Sequence, residues 1–217
     1  MDISFYDKPV NVIKIDNLFD KDTHDGIFHE AIANESFFQD ATIGSGLNKD
    51  IRSNTVAYYD DLYQGKREHS QLLNSIDRLF NDNMIRELLE SSPEPFPNFD
   101  ITNSHETQVS RYGDNNQKYD WHIDRMGGRG RLITFVYYFG NKKYTGGKIR
   151  FTNSPMTRND KNESVLLMDN PEILEFDPKP NTGFFFSSTT PHNVTTTSSP
   201  VKFSDGRFSV NCWIGIK

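Results

Sequence analysis

The chain is poor in cysteine, in positive charge and in long apolar runs, and each shortage narrows what it can be. Its one cysteine, Cys212, rules out an intramolecular disulfide framework and suits a reducing compartment. Lys and Arg number 24 against 30 Asp and Glu, a net charge of -6, which argues against an electrostatic nucleic-acid binder. No apolar run approaches the ~20 residues that span a bilayer, so no membrane association is expected. The opening MDISFYDKPV has neither a basic nor an apolar region of the kind a secretory signal needs. Hydrophobic residues make up only 35%, yet 17 Phe and 9 Tyr provide the bulky core that disordered chains lack. At 217 residues the chain suffices for one domain that buries roughly 70% of its unfolded surface. The expectation is an acidic, soluble, cytoplasmic protein.

Two textures follow one another along the chain. Asn11 to Phe19 reads as a strand entering a turn, and Asp20 or Asp22 is placed to cap a helix carrying Ile27, Phe28, Ala31 and Ile32 on one face. A longer helix is predicted over 68–90, where Leu72, Leu73, Ile76, Leu79, Phe80, Met84, Ile85, Leu88 and Leu89 recur at helical spacing. Pro93, Pro95 and Pro97 then stop it. From 98 onward short apolar or alternating runs are separated by Gly, Asn, Pro and Asp, near 98–102, 106–112, 119–124, 131–139, 147–152, 164–168, 172–176, 182–188, 192–196 and 207–215. Nearly ten short strands predict an α+β, mainly β fold of sandwich or jelly-roll type, with the earlier helices packed outside. The sequon Asn193-Val194-Thr195 carries little meaning without a secretory signal.

The chemistry begins at His122-Ile123-Asp124. Side chains alternate along a strand, so the imidazole and the carboxylate share one face. Alone, this pair reads more readily as a surface strand with two polar residues. His192, just past the apolar run Gly183-Phe184-Phe185-Phe186, completes a two-histidine, one-carboxylate set that leaves three adjacent positions open on an octahedral Fe(II). Zinc accepts the same ligands, so the triad does not select the metal. His24, His29 and His69 lie in or beside predicted helices and His105 in a predicted polar turn, all read as surface histidines. On the last strand Arg207, Ser209, Asn211 and Trp213 share one face, while Phe208, Val210, Cys212 and Ile214 share the other. An inward guanidinium needs an anion. A ligand carboxylate held bidentately would meet that need, and so would an internal Asp or Glu. Cys212, among apolar neighbours, reads as core.

The order Tyr112-Gly113, Tyr119-x-x-His122-x-Asp124, Arg131, Tyr138, Gly146-Gly147, His192-x-Val194, Arg207, Trp213 resembles the Fe(II)/2-oxoglutarate-dependent dioxygenases, and the prolyl 4-hydroxylase-like branch most. The resemblance is strong over 98–217 and looser before it. It implies a double-stranded β-helix (cupin-like jelly roll) core over 98–217 supported by 1–97, together one oxygenase domain. It further implies His122, Asp124 and His192 as iron ligands, with Arg207 and Tyr138 on the distal carboxylate of 2-oxoglutarate. Tyr112 would stand near the cosubstrate's metal-binding end, and Trp213 would line the substrate side. The implied reaction consumes O2 and 2-oxoglutarate, yields succinate and CO2 and hydroxylates a C–H bond, with ascorbate as an optional reductant.

Two departures from the family pattern bear on the anchor. The interval from His192 to Arg207 is long, which predicts an extended hairpin loop over 196–206, and Lys202 within it is an alternative anchor. Arg129, in the Gly-rich stretch 126–130, is a candidate substrate contact, and 152–164 a candidate flap. By resemblance a prolyl residue in a peptide or protein is the favoured target. A free amino acid or other small molecule, a zinc or manganese jelly-roll enzyme without 2-oxoglutarate, and a noncatalytic metal-binding jelly roll are the alternatives.

Overall fold

A computed structural model describes residues 1–44, 46–92, 105–113, 116–124, 130–159 and 164–215. The predicted strand at 98–102 and the candidate contact Arg129 lie outside the described residues. Two antiparallel sheets dominate. The larger has eight strands, ordered across the sheet as Asp2–Tyr6, Val12–Asp16, Thr182–Ser187, Arg131–Phe139, Arg207–Gly215, His105–Tyr112, Thr55–Tyr58 and Gln39–Asp40. The smaller orders Ile173–Phe176, Ile149–Thr152, His192–Ser198 and Gln117–His122, with Thr145–Gly146 also paired to His192–Ser198.

Alternation explains how the large sheet serves two purposes. On the last strand Phe208, Val210, Cys212 and Ile214 join Phe135, Tyr137, Phe185 and Val109 in the main core. Apolar residues of the helices Lys21–Ala33, Gln71–Asn81 and Asn83–Glu90 belong to that same cluster, among them Ile27, Ala31, Leu72, Leu73, Ile76 and Leu89. The helices thus cover one face of the large sheet. The opposite face, with Val136, Tyr138, Phe184 and Phe186, meets Ile149 and Phe151 of the small sheet in a second cluster. Opposite faces of one strand go to different partners because side chains alternate with period two.

Several local expectations need correction. The helix predicted over 68–90 is a short 3-10 turn at Arg67–His69 followed by two helices that break at Asp82. Asp82 leaves helical geometry (ψ 126°) and its carboxylate accepts the Met84 amide, a polar cap that outcompetes continuation. Ser70 caps the preceding helix in the same way, through the Leu73 amide. Asp20, rather than Asp22, caps the first helix through Thr23. Met156–Arg158, within the candidate flap 152–164, pairs as a two-stranded ribbon with Ser164–Leu166, which begins at the flap's last residue. The strand from His192 runs on to Ser198, so the interval before Arg207 is shorter than the predicted loop and ends in a 3-10 turn at Phe203–Asp205.

His24 is half-buried rather than freely exposed. Its Nδ1 lies 2.6 Å from the Tyr137 hydroxyl, which also reaches Asn181 at 3.2 Å. Burial pushes the His24 pKa below its ordinary value. His29 and His69 are exposed as expected, and His105 opens a strand rather than a turn. No helix among the described residues is long and apolar enough to cross a membrane.

Candidate active site

Pairing within the small sheet assembles the metal-ligating set. His122, the last residue of Gln117–His122, is in register with His192, the first residue of His192–Ser198, and their rings lie 4.1 Å apart. Asp124 lies just past the strand end rather than within it. Its amide donates to the Ser188 carbonyl at 3.0 Å, which turns the carboxylate back toward the two rings. His122 Nε2 is 3.8 Å from Asp124 Oδ1, and His192 Nε2 is 3.5 Å from Asp124 Oδ2. The three ligand atoms lie within 4.8 Å of one another.

Surrounding hydrogen bonds aim this set. His122 Nδ1 meets the Asp120 carbonyl at 2.8 Å and His192 Nδ1 the Thr190 carbonyl at 2.9 Å. A carbonyl only accepts, so each Nδ1 carries the proton and each Nε2 turns its lone pair to the shared point. Thr134, from the large sheet, donates to Asp124 Oδ2 at 2.7 Å and contacts the Ser188 hydroxyl at 3.0 Å. Burial pushes His122 down to about 3, aided by neighbouring His192. Burial would raise Asp124, but the two imidazoles and Thr134 outweigh it and hold the carboxyl below its usual range. A neutral His122 imidazole facing the ionised Asp124 is the protonation state that a divalent cation requires.

Arg207 lies in the same cavity, 1% exposed. Its Nε donates to the Gly147 carbonyl at 2.8 Å and its Nη2 to the Tyr138 hydroxyl at 2.9 Å. The rings of Tyr112 and Tyr138 each lie 4.6 Å from the guanidinium carbon. Its Nη1 is buried without a partner, and Arg207 has no carboxylate partner among the described residues. Because Tyr138 accepts from Arg207, its own hydroxyl proton remains available for a ligand oxygen. Burial holds Tyr138 at about 12 and Tyr112 above the ordinary phenol value, so both hydroxyls stay protonated. Lys202, the alternative anchor, is exposed and lies outside this cavity.

Trp213 also lines the cavity, stacked under Arg131, whose guanidinium carbon is 4.1 Å from the ring. Its indole N–H lies close enough to help depress Asp124 but has no partner in hydrogen-bond geometry. Arg131 donates to the Asp124 carbonyl at 3.3 Å and pairs with Glu106. The cavity of about 770 Å³ falls in the range of small-molecule and cofactor sites.

Several of its residues are not among those the sequence singles out. Thr134 lies on an apolar strand, where one β-branched hydroxyl gives no signal. Gly147 has φ +69°, and a Cβ there would lie 2.5 Å from Arg207 Cδ; the Gly146-Gly147 pair signals a special backbone but not which side chain passes behind it. Arg52 and Gln108 are hydrogen-bonded to each other at 2.9 Å on the cavity wall; Arg52 comes from a loop without any pattern.

A model of the 2OG-Fe(II) oxygenase superfamily matches residues 107–215, about half of the chain. Among solved structures, a prolyl hydroxylase from Trichoplax adhaerens, in complex with a hypoxia inducible factor oxygen degradation domain peptide fragment, is 17% identical. It has a TM-score of 0.66, with 94% of this chain and 83% of that one covered. A prolyl-4-hydroxylase from Pseudomonas putida is 15% identical with a TM-score of 0.66, covering 94% and 92%. The non-heme alpha ketoglutarate dependent epimerase SnoN, from nogalamycin biosynthesis, is 10% identical with a TM-score of 0.62, covering 94% and 76%. No curated protein sequence matches. The fold is therefore shared by hydroxylases and an epimerase alike, while the sequence match spans both histidines, Asp124 and Arg207: the chain belongs to the 2OG-Fe(II) oxygenase superfamily.

Proposed function

We propose that this protein is an Fe(II)- and 2-oxoglutarate-dependent dioxygenase that hydroxylates prolyl residues in a peptide or protein. One juxtaposition carries the reading. A His-Asp-His set with its lone pairs converging shares a cavity with a buried guanidinium whose Nη1 has no partner. A buried charge with an unsatisfied donor is costly until an anion meets it. A dicarboxylate with one end on the metal and the other on Arg207 fits both features.

In this reading His122, Asp124 and His192 hold Fe(II), and Arg207 with Tyr138 holds the distal carboxylate of 2-oxoglutarate. When bound, iron and cosubstrate supply the oxidation, coupling O2 and the decarboxylation of 2-oxoglutarate to succinate and CO2 to hydroxylation of a C–H bond. The protein supplies position and exclusion of water. Thr134 keeps Asp124 oriented and ionised. Tyr112 and Tyr138 flank the guanidinium and shield it from solvent, which strengthens its hold on an anion. Trp213 and Arg131 wall the side where the substrate enters. The prolyl target is supported by the residue pattern that the chain shares with the prolyl 4-hydroxylase-like branch. A cytoplasmic setting stays part of the proposal, supported by Cys212 being free and buried.

The test is an anaerobic titration with Fe(II) and then 2-oxoglutarate, followed by visible absorption. A charge-transfer band of the chelated keto acid is expected. Iron binding without a band would replace this reading with a metalloenzyme that does not use 2-oxoglutarate. Binding of neither would leave a noncatalytic jelly roll. Admission of O2 with proline-containing peptides, read by succinate release and a mass gain of one oxygen, then tests the target.

A further inference from the structure

Among the described residues four arginines and no lysine line the cavity, Arg52, Arg131, Arg158 and Arg207, against two carboxylates, Glu106 and Asp124. In a chain of net charge -6 this wall is opposite in sign to the whole. Asp124 serves the metal-ligating set, Arg207 faces the cosubstrate end, and Arg131 is paired with Glu106. Arg52 is used by none of these.

Arg52 is 8% exposed. Its three hydrogen bonds all go to neutral oxygens: Nε to Asn54 Oδ1 at 3.0 Å, Nη1 to the Thr42 carbonyl at 3.2 Å and Nη2 to Gln108 Oε1 at 2.9 Å. Its guanidinium carbon lies 4.6 Å from the Tyr119 ring centre. No carboxylate among the described residues pairs with it. A guanidinium has five N–H donors, so two are left over. The neutral partners orient the group without cancelling its charge, and a buried cation of this kind is costly until an anion arrives. Its place is equally specific. Tyr119 stacks on His122 with centroids 3.5 Å apart and 15° between planes. Arg52 therefore stands one ring beyond a metal-facing imidazole. The loop holding it is pinned to that strand, with Asp120 N bonded to the Ile51 carbonyl at 2.9 Å and Ser53 N to the Lys118 carbonyl at 3.1 Å.

We infer that Arg52 receives a carboxylate of the substrate, on the side of Tyr119 away from His122. This rests on the oxygenase reading and narrows its substrate to an anionic one. The carboxylate belongs either to an Asp or Glu side chain or to a free C-terminus. Planar, bidentate recognition of a carboxylate is what arginine does better than lysine.

Trp121 and Trp213 are the only tryptophans in the chain, and both line the cavity, so intrinsic fluorescence reports its occupancy. The protein, loaded anaerobically with Fe(II) and 2-oxoglutarate, is titrated with three pairs of probes. They are acetyl-Asp-Pro-amide against acetyl-Asn-Pro-amide, acetyl-proline against its amide, and acetyl-Asp-Ala-amide against acetyl-Asn-Ala-amide. The acid of at least one pair is expected to bind about tenfold more tightly than its amide, the worth of a charge-assisted bond. The responding pair tells side chain from terminus. Arg52→Gln should bring the ratio to about one, and Arg52→Lys should retain part of it. Equal affinities within every pair, no binding by any probe, or a preference that survives Arg52→Gln would overturn the inference. The wild-type ratio decides even if a variant fails to fold. The prolyl reading fails separately: a preference for the acid in the Asp-Ala pair, with no oxygen gained by the proline probes on admitting O2, removes proline and keeps Arg52. If the charge-transfer band never forms, the oxygenase reading falls first, and the same acid and amide titration is run on the metal-free protein.

Discussion

His122 and His192 stand in register on neighbouring antiparallel strands, with rings 4.1 Å apart and both Nδ1 atoms bonded to backbone carbonyls two residues earlier in the chain. One strand pairing thus brings two ligands together, and one repeated local bond selects the tautomer of each. Sheet register and metal affinity are coupled here, since a one-residue slip would turn one imidazole to the other face.

The first consequence is a division of labour between the triad and Arg207. Arg207→Ala should weaken 2-oxoglutarate binding by at least about 30-fold, the lower end of the loss for truncating one partner of a buried charge pair. Iron affinity should hold. His122→Ala should abolish iron binding and the charge-transfer band together. Anaerobic titrations of both variants check this, and equal iron loss in the two would contradict the division.

Thr134 acts on the metal through Asp124, to which it donates at 2.7 Å. Thr134→Val keeps the shape and β-branching of the strand residue but removes the donor. Loss of such an outer partner typically costs 10–100-fold in metal affinity, so a drop of about tenfold in Mn(II) or Fe(II) affinity is expected by titration. Unchanged affinity would leave Thr134 as packing alone.

Gly147 holds the back of Arg207. At φ +69° a side chain is strained, and its Cβ would lie 2.5 Å from Arg207 Cδ and 2.7 Å from Thr197 Oγ1. Gly147→Ala should cost about 1–3 kcal/mol of stability from backbone strain and displace the guanidinium. Thermal unfolding should shift downward, and 2-oxoglutarate affinity should fall while iron still binds.

The half-buried His24–Tyr137 contact makes stability depend on pH. Burial lowers the folded pKa of His24, so below the unfolded value of about 6.5 the unfolded chain binds more protons than the native one. Stability is then full above about pH 6.5 and falls as pH drops from there toward the lowered folded value. The difference in unfolding temperature between wild type and His24→Gln should therefore change between about pH 7 and about pH 5 in the direction of wild-type loss. A pH-independent difference would remove His24 as the titrating group.

Legibility followed the range of the governing interaction. The strand Arg207–Gly215 was readable to its ends, and so was the division of its side chains between cavity and core, because alternation is intrinsic to the extended chain. The break at Asp82 was missed because helical periodicity continues through it, while a single carboxylate bonded to the Met84 amide ends the turn. Asp124 was placed within the strand. It lies beyond the strand end and is turned by the Ser188 carbonyl, a partner far along the chain.

Sequence by itself determined a mainly β chain without a disulfide framework, and residue type and spacing singled out His122, Asp124, His192 and Arg207, while Tyr138 came from the family resemblance alone. Tertiary structure alone decided that Thr134 would hold Asp124, that Gly147 would support Arg207, and that Lys202 would face away from the cavity. It also set Arg52 behind Tyr119 with no anion of its own. The Gly147 and Arg52 contacts join segments distant in the chain, and Thr134 reaches Asp124 across ten residues. They depend on which strands become neighbours and in what register, and no local pattern of side chains encodes that.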